Sequence, residues 1–81
     1  MQVHETIPAA LSILEHALDN CREHDMRTPE VIDAIKLLLK YADERWMFVQ
    51  FWKALGDTGS PEGKWQCANA ALNGIKIAVG R

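Results

Sequence analysis

Apolar residues recur three and four apart through most of the chain, and polar residues fill the gaps. In the first block Ile7, Ala10, Leu11, Leu14, Ala17, Leu18 and Cys21 take one side, while Ser12, Glu15, His16, Asp19, Arg22 and Glu23 take the other. This periodicity predicts an amphipathic helix over residues 7–24. Thr6 is placed to cap it, and Pro8 falls in the first turn, where a missing N–H costs little. Residues 1–5 read as a short arm, and residues 24–27 as a connector.

The stretch from Val31 to Leu55, VIDAIKLLLKYADERWMFVQFWKAL, contains no Gly or Pro. It predicts a single long helix over 29–55, of which this stretch alone makes about seven turns, roughly 37 Å. Thr28-Pro29-Glu30 opens it with a capping hydroxyl, a proline at N1 and a carboxylate near the positive end of the helix dipole. At about 100° per residue, Val31, Ile35, Leu38, Leu39, Ala42, Trp46 and Val49 share one broad face. Ala34, Leu37, Tyr41, Phe48, Trp52 and Leu55 widen it. The first half keeps a polar stripe of Asp33, Lys36, Lys40, Asp43 and Glu44. In the second half Met47, Phe51 and Ala54 replace that stripe, leaving only Gln50 and Lys53 as polar relief. A helix apolar all round needs cover on all sides.

Gly56 is the natural stop for this helix, with Asp57-Thr58-Gly59 as the turn. Ser60-Pro61-Glu62 then repeats the capping grammar, but the residues that follow differ, so the likeness is not an internal repeat. The third helix is expected over 61–79, with a stop at Asn73-Gly74 and a strand-like alternation of Ile75, Ile77 and Val79 as the alternative. Its large apolar face is Trp65, Ala68, Leu72, Ile75 and Val79. A second face is small: Gly63, Cys67, Ala70, Ala71, Gly74 and Ala78.

Short connectors favour antiparallel neighbours. The expected fold is therefore all-α: one domain, residues 1–81, forming a three-helix up-down antiparallel bundle around a long central helix. Two neighbours cannot surround the second half of that helix. Each large apolar side chain left open there forgoes roughly 1.5–3 kcal/mol of burial. A two-fold homodimer would reuse the same patch on both copies, so it is the expected completion. Its interface would be Met47, Phe48, Phe51, Trp52 and Leu55.

Composition narrows the class. Of 81 residues, 48% are hydrophobic and 25% charged, which is globular rather than disordered usage. Net charge is −2, and the nine Lys and Arg are scattered, which weighs against a nucleic-acid binder. The N-terminal stretch lacks the basic and apolar regions of a secretory signal, and no lipidation box or membrane span is legible. A soluble, cytoplasmic protein is the expectation. Two cysteines, Cys21 and Cys67, suit free thiols in a reducing compartment better than a disulfide scaffold.

Candidate chemistry is sparse. His16, Asn20 and His24 lie along one line of the first helix, but two turns separate the histidines, so a solvated face is the better reading and no metal or other cofactor is expected. Tyr41, Trp46 and Trp65, with Phe48 and Trp52, could line an apolar ligand pocket or contact a partner. Gln66, Asn69, Asn73 and Lys76 form a polar strip that could meet base edges, although few cations accompany it. Glu44 and Asp43 diverge on a helix and make a poor acid/base pair, and no phosphate-binding glycine loop is present. Catalysis is not expected. The residues point to a small helical interaction or regulatory module whose partners are itself and another protein. A helical regulator binding DNA or a small apolar ligand is the alternative.

Overall fold

The computed structural model describes residues 6–57 and 59–80. The arm expected over 1–5, Thr58 of the expected turn and Arg81 lie outside them. The described residues form four helices and no strand: α1 (Ile7–Asn20), α2 (Pro29–Leu38), α3 (Arg45–Leu55) and α4 (Pro61–Val79).

Three of the four helices begin as the capping triplets predict. The hydroxyls of Thr6, Thr28 and Ser60 accept from the N–H groups of Ala9, Val31 and Gly63, and a proline follows each within two residues. The first helix ends earlier than the periodicity implies. The Asn20 side-chain amide donates to the carbonyl of His16 at 2.8 Å. The N–H groups of Glu23 and His24 then both turn back to the Asn20 carbonyl. Asn competes with the helix for its own backbone groups, so Cys21 to Glu23 form turns instead of another helical turn.

The main correction concerns the long helix, which is two helices. Beyond the C-cap Leu39 the i→i−4 hydrogen bonds stop, and the N–H groups of Lys40 and Tyr41 donate to the carbonyls of Leu37 and Leu38 at 3.2 and 2.9 Å. The helix resumes only at Arg45. Nothing local forces the break, since Tyr41 and Asp43 each cost helix only about 0.5 kcal/mol relative to Ala. Packing outweighs that. A straight helix would carry Met47 and Phe51 away from the rest of the chain. Breaking it lays α3 along α4, and in the folded chain Met47, Phe48, Phe51 and Leu55 are 7, 2, 0 and 0% exposed. Four such burials at about 1.5–3 kcal/mol each exceed the few backbone hydrogen bonds lost at the break.

The closest pairings are α3 with α4 and α1 with α2, while α1 against α4 joins the two pairs. Glu15 pairs with Lys76, and Arg22 pairs with Glu62 at 3.0 Å. Rising numbers on α1 meet falling numbers on α4, so these two helices are antiparallel. The bundle thus runs α2, α1, α4, α3 in space. α2 and α3, consecutive in sequence, stand at its two ends and touch only marginally.

The core contains Leu14, Leu38, Phe48, Phe51, Leu55, Leu72 and Ile75, and no polar or charged side chain is buried among the described residues. The small face of α4 is used at one end. A Cβ on Gly74 would lie 2.6 Å from the Met47 sulfur, so the Met47 side chain packs over the bare backbone of Gly74. Cys67 and Ala70, on the same small face, stay exposed.

Candidate functional site

The seam between α2 and α3 is an apolar concavity. α2 contributes Ile32, Ile35 and Lys36, with Leu39 at its C-cap; α3 contributes Arg45, Phe48, Val49, Trp52 and Lys53. Both sets follow i, i+3, i+4, i+7 spacing, so each helix offers one continuous stripe to the same space. The volume between them is about 320 Å³. Phe48 is the floor, being 2% exposed. Ile35, Leu39 and Trp52 are half-buried, and Ile32 and Val49 stand 36 and 44% open at the rim.

The charges around this groove have one sign. Lys36 stands on one wall, and Arg45 and Lys53 stand at the two ends of the other, with no carboxylate in the lining. Asp33 and Glu30 line a neighbouring cleft with Ile13 and Lys40, beside α1, and Lys36 borders both that cleft and the groove. Arg22, Arg27 and Lys76 are ion-paired with Glu62, Asp25 and Glu15. Among the described residues, Lys36, Arg45 and Lys53 have no such partner.

The residues expected to form a dimer interface divide here. Met47, Phe51 and Leu55 face α4 and the core, so a single chain consumes the surface that called for a second copy. Phe48 and Trp52 face the groove. The expected aromatic pocket does not assemble. Tyr41 lies in the break at 56% exposure, Trp46 is 64% exposed on α3, and Trp65 sits beneath the Arg22 guanidinium, 4.5 Å from the ring centroid. Only Phe48 and Trp52 of that set share a cavity. A continuous helix would place Trp46 and Val49 on its buried face, and the break rotates them out.

In the polar strip of α4, Gln66 and Asn73 are exposed, Asn69 and Lys76 are half-buried, and the one cation is held by Glu15. His16 is exposed on α1 and beside a shallow cleft with Ser12 and Glu30. Its ring nitrogen lies 3.5 Å from the Asn20 amide, and no hydrogen bond joins it to Ser12. Cys21 is fully buried and Cys67 exposed, and both thiols are free. Burial pushes the Cys21 thiol up, with Lys64 and Arg22 partly opposing it. Arg27 hydrogen-bonds Asp25 and holds that carboxyl below the usual carboxylate range.

Sequence reasoning placed Arg45 with Phe48 and Trp52 as a polar handle but missed Ile32, Lys36 and Lys53. One signal was present: Ile32 fits neither the main face of the long helix nor its widened flank. An isoleucine outside the core stripe of a predicted helix marks a second surface.

Among the described residues, no helix is long and apolar enough to cross a membrane. Compared with protein-family models, with curated proteins and with solved structures, the chain matches none.

Proposed function

We propose that this chain is a helical protein–protein interaction module without catalytic activity of its own, and that it docks its partner in the α2–α3 groove. The observation that carries the reading is the open seam: two amphipathic stripes face one space, with Ile32 and Val49 left in water at its rim. Helix-in-groove recognition uses such a concavity, lined by apolar side chains at helical spacing.

A partner other than a second copy is favoured. Two-fold pairing of this groove on itself would bring Lys36, Arg45 and Lys53 of both copies together, and like charges across an interface are costly.

The test is affinity capture from the native cell with wild-type chain and with Ile32→Ser/Val49→Ser. Both residues are exposed, so helix content by circular dichroism stays unchanged. Proteins retained by the wild type and released by the double variant support the reading. Equal retention by both rejects the groove as the docking site.

A second reading, a small apolar ligand, is favoured by one observation: Phe48 and Trp52 line the same groove. It requires a ligand that changes Trp52 emission saturably and loses that effect in Trp52→Leu.

A further inference from the structure

We infer that the partner element seated in the α2–α3 groove is an acidic amphipathic helix of another protein. This deepens the docking reading above and rests on it. Charge and dimension both point to such an element.

The chain as a whole is acidic, at −2. Yet its groove collects Lys36, Arg45 and Lys53, each without an ion-pair partner among the described residues. Cations on both walls of an apolar cleft, with Glu30 and Asp33 on the far side of Lys36, favour an approaching anion over a cation. The stripe from Ile32 to Leu39 runs about 10 Å along α2, and that from Arg45 to Lys53 about 12 Å along α3, at 1.5 Å per residue. These lengths match two turns of a helix presenting apolar residues at i, i+3, i+4 and i+7. Lys36 opposes one flank of such a helix. Arg45 and Lys53, two turns apart on the other wall, oppose its second flank. The matching sequence therefore carries carboxylates on both sides of its apolar stripe, with two of them about two turns apart on one side.

An anionic bilayer would also meet basic and apolar groups, but the shape disfavours it. The apolar floor at Phe48 is 2% exposed, recessed between two helices. A flat lipid surface cannot enter that seam, whereas the side chains of a helix can. An incoming helix would also sit where α2 and α3 fail to close the bundle.

The experiment titrates the isotopically labelled full chain with two synthetic helical peptides about four turns long. Both carry Leu at i, i+3, i+4 and i+7; one has Glu on its flanks and the other Lys. The expected result is saturable shifts of amides in 32–39 and 45–53 with the Glu peptide, at least about tenfold weaker binding of the Lys peptide, and weakening with salt. Lys36→Glu/Arg45→Glu/Lys53→Glu should reverse the preference. All three residues are exposed, and the comparison of peptides on the wild type stands even if this variant fails to fold. Equal affinity for the two peptides, no saturation of the Glu peptide by about 1 mM, the affinity of a weak, transient contact, or shifts confined to other helices overturns the inference. So does groove-dependent binding to phosphatidylserine vesicles with no response to the Glu peptide. If cellular capture depends on Ile32 and Val49 but ignores the charge reversal, the docking reading stands and the acidic helix alone is rejected.

Discussion

Gly74 and Met47 form a tight approach between α3 and α4. A Cβ at position 74 would meet the Met47 sulfur at 2.6 Å. Gly74→Ala recovers about 1 kcal/mol of helix propensity, and methionine is flexible enough to yield to one methyl, so the net change is small. Gly74→Val has no such escape. It is expected to cost about 1–3 kcal/mol in urea unfolding, as overpacking does, and to cost less when Met47 is first changed to Ala. Gly56 is a different case. The sequence suggests a left-handed helix stop there, but its φ is −101°. A Cβ there would meet the guanidinium of Arg27, the far end of a flexible, exposed side chain that can swing aside. The thiols offer a second residue-level test. Cys21 is fully buried, and its pKa is raised chiefly by that burial. Raising a thiol pKa lowers the thiolate fraction at neutral pH, and the thiolate is the reactive form. A chromogenic disulfide reagent should therefore titrate Cys67 promptly and Cys21 only after denaturation. Prompt reaction of both would contradict the packing around α1.

At the scale of elements, the break between α2 and α3 is a tertiary decision. No Gly or Pro lies between Val31 and Leu55, and Leu38 to Arg45 contain nothing that ends a helix by local chemistry. A peptide of residues 29–55 alone, in a helix-promoting alcohol, should run helical through Lys40 to Glu44. Medium-range amide contacts by NMR would check this, and a persistent interruption would move the cause back into the local sequence. Helix starts behave oppositely, because each rests on a hydroxyl and a proline within a few residues. Thr28→Ala removes the acceptor for the Val31 N–H and should cost about 1 kcal/mol in thermal or urea unfolding. The legibility of the chain follows this division. The start of α1, α2 and α4 could be read because caps are local. The segment after Asn20 could not, because the competing hydrogen bond from its side chain to His16 shows no periodic signature. The groove was half legible. Its apolar members sit on recognisable stripes, but a continuous helix puts Val49 and Trp52 on the wrong side of the core boundary.

For the whole molecule, the arrangement changes what Phe51 does. On a continuous helix it faces outward and joins a dimer. In the folded chain it is fully buried on the inner side of α3. Phe51→Asp should therefore unfold the protein, with loss of helical circular dichroism, instead of yielding a folded and dissociated chain, because an unpaired buried carboxylate is not tolerated. Sedimentation of the wild type is expected to show the 9.1 kDa chain by itself, since Met47 and Phe51 are already covered. The exposed ion pairs Arg22–Glu62 and Glu15–Lys76 orient α1 against α4 but contribute at most about 1 kcal/mol each. Removing them should shift the unfolding midpoint little. Stability lies in the apolar core.

Taken alone, the sequence determined the all-helical class, the caps of three helices and the excess of apolar surface between Trp46 and Leu55. These depend on residues within about a turn of one another, or on composition. Only the tertiary structure decided that the excess is hidden by snapping one helix into two, and that Ile32, Val49 and three cations without an ion-pair partner among the described residues are what remains at the open seam. The physical reason is a competition between distant terms. A few local hydrogen bonds favour continuity, while burial of Met47, Phe48, Phe51 and Leu55 in the folded chain favours the break, and the second term exists only once the chain has folded back on itself.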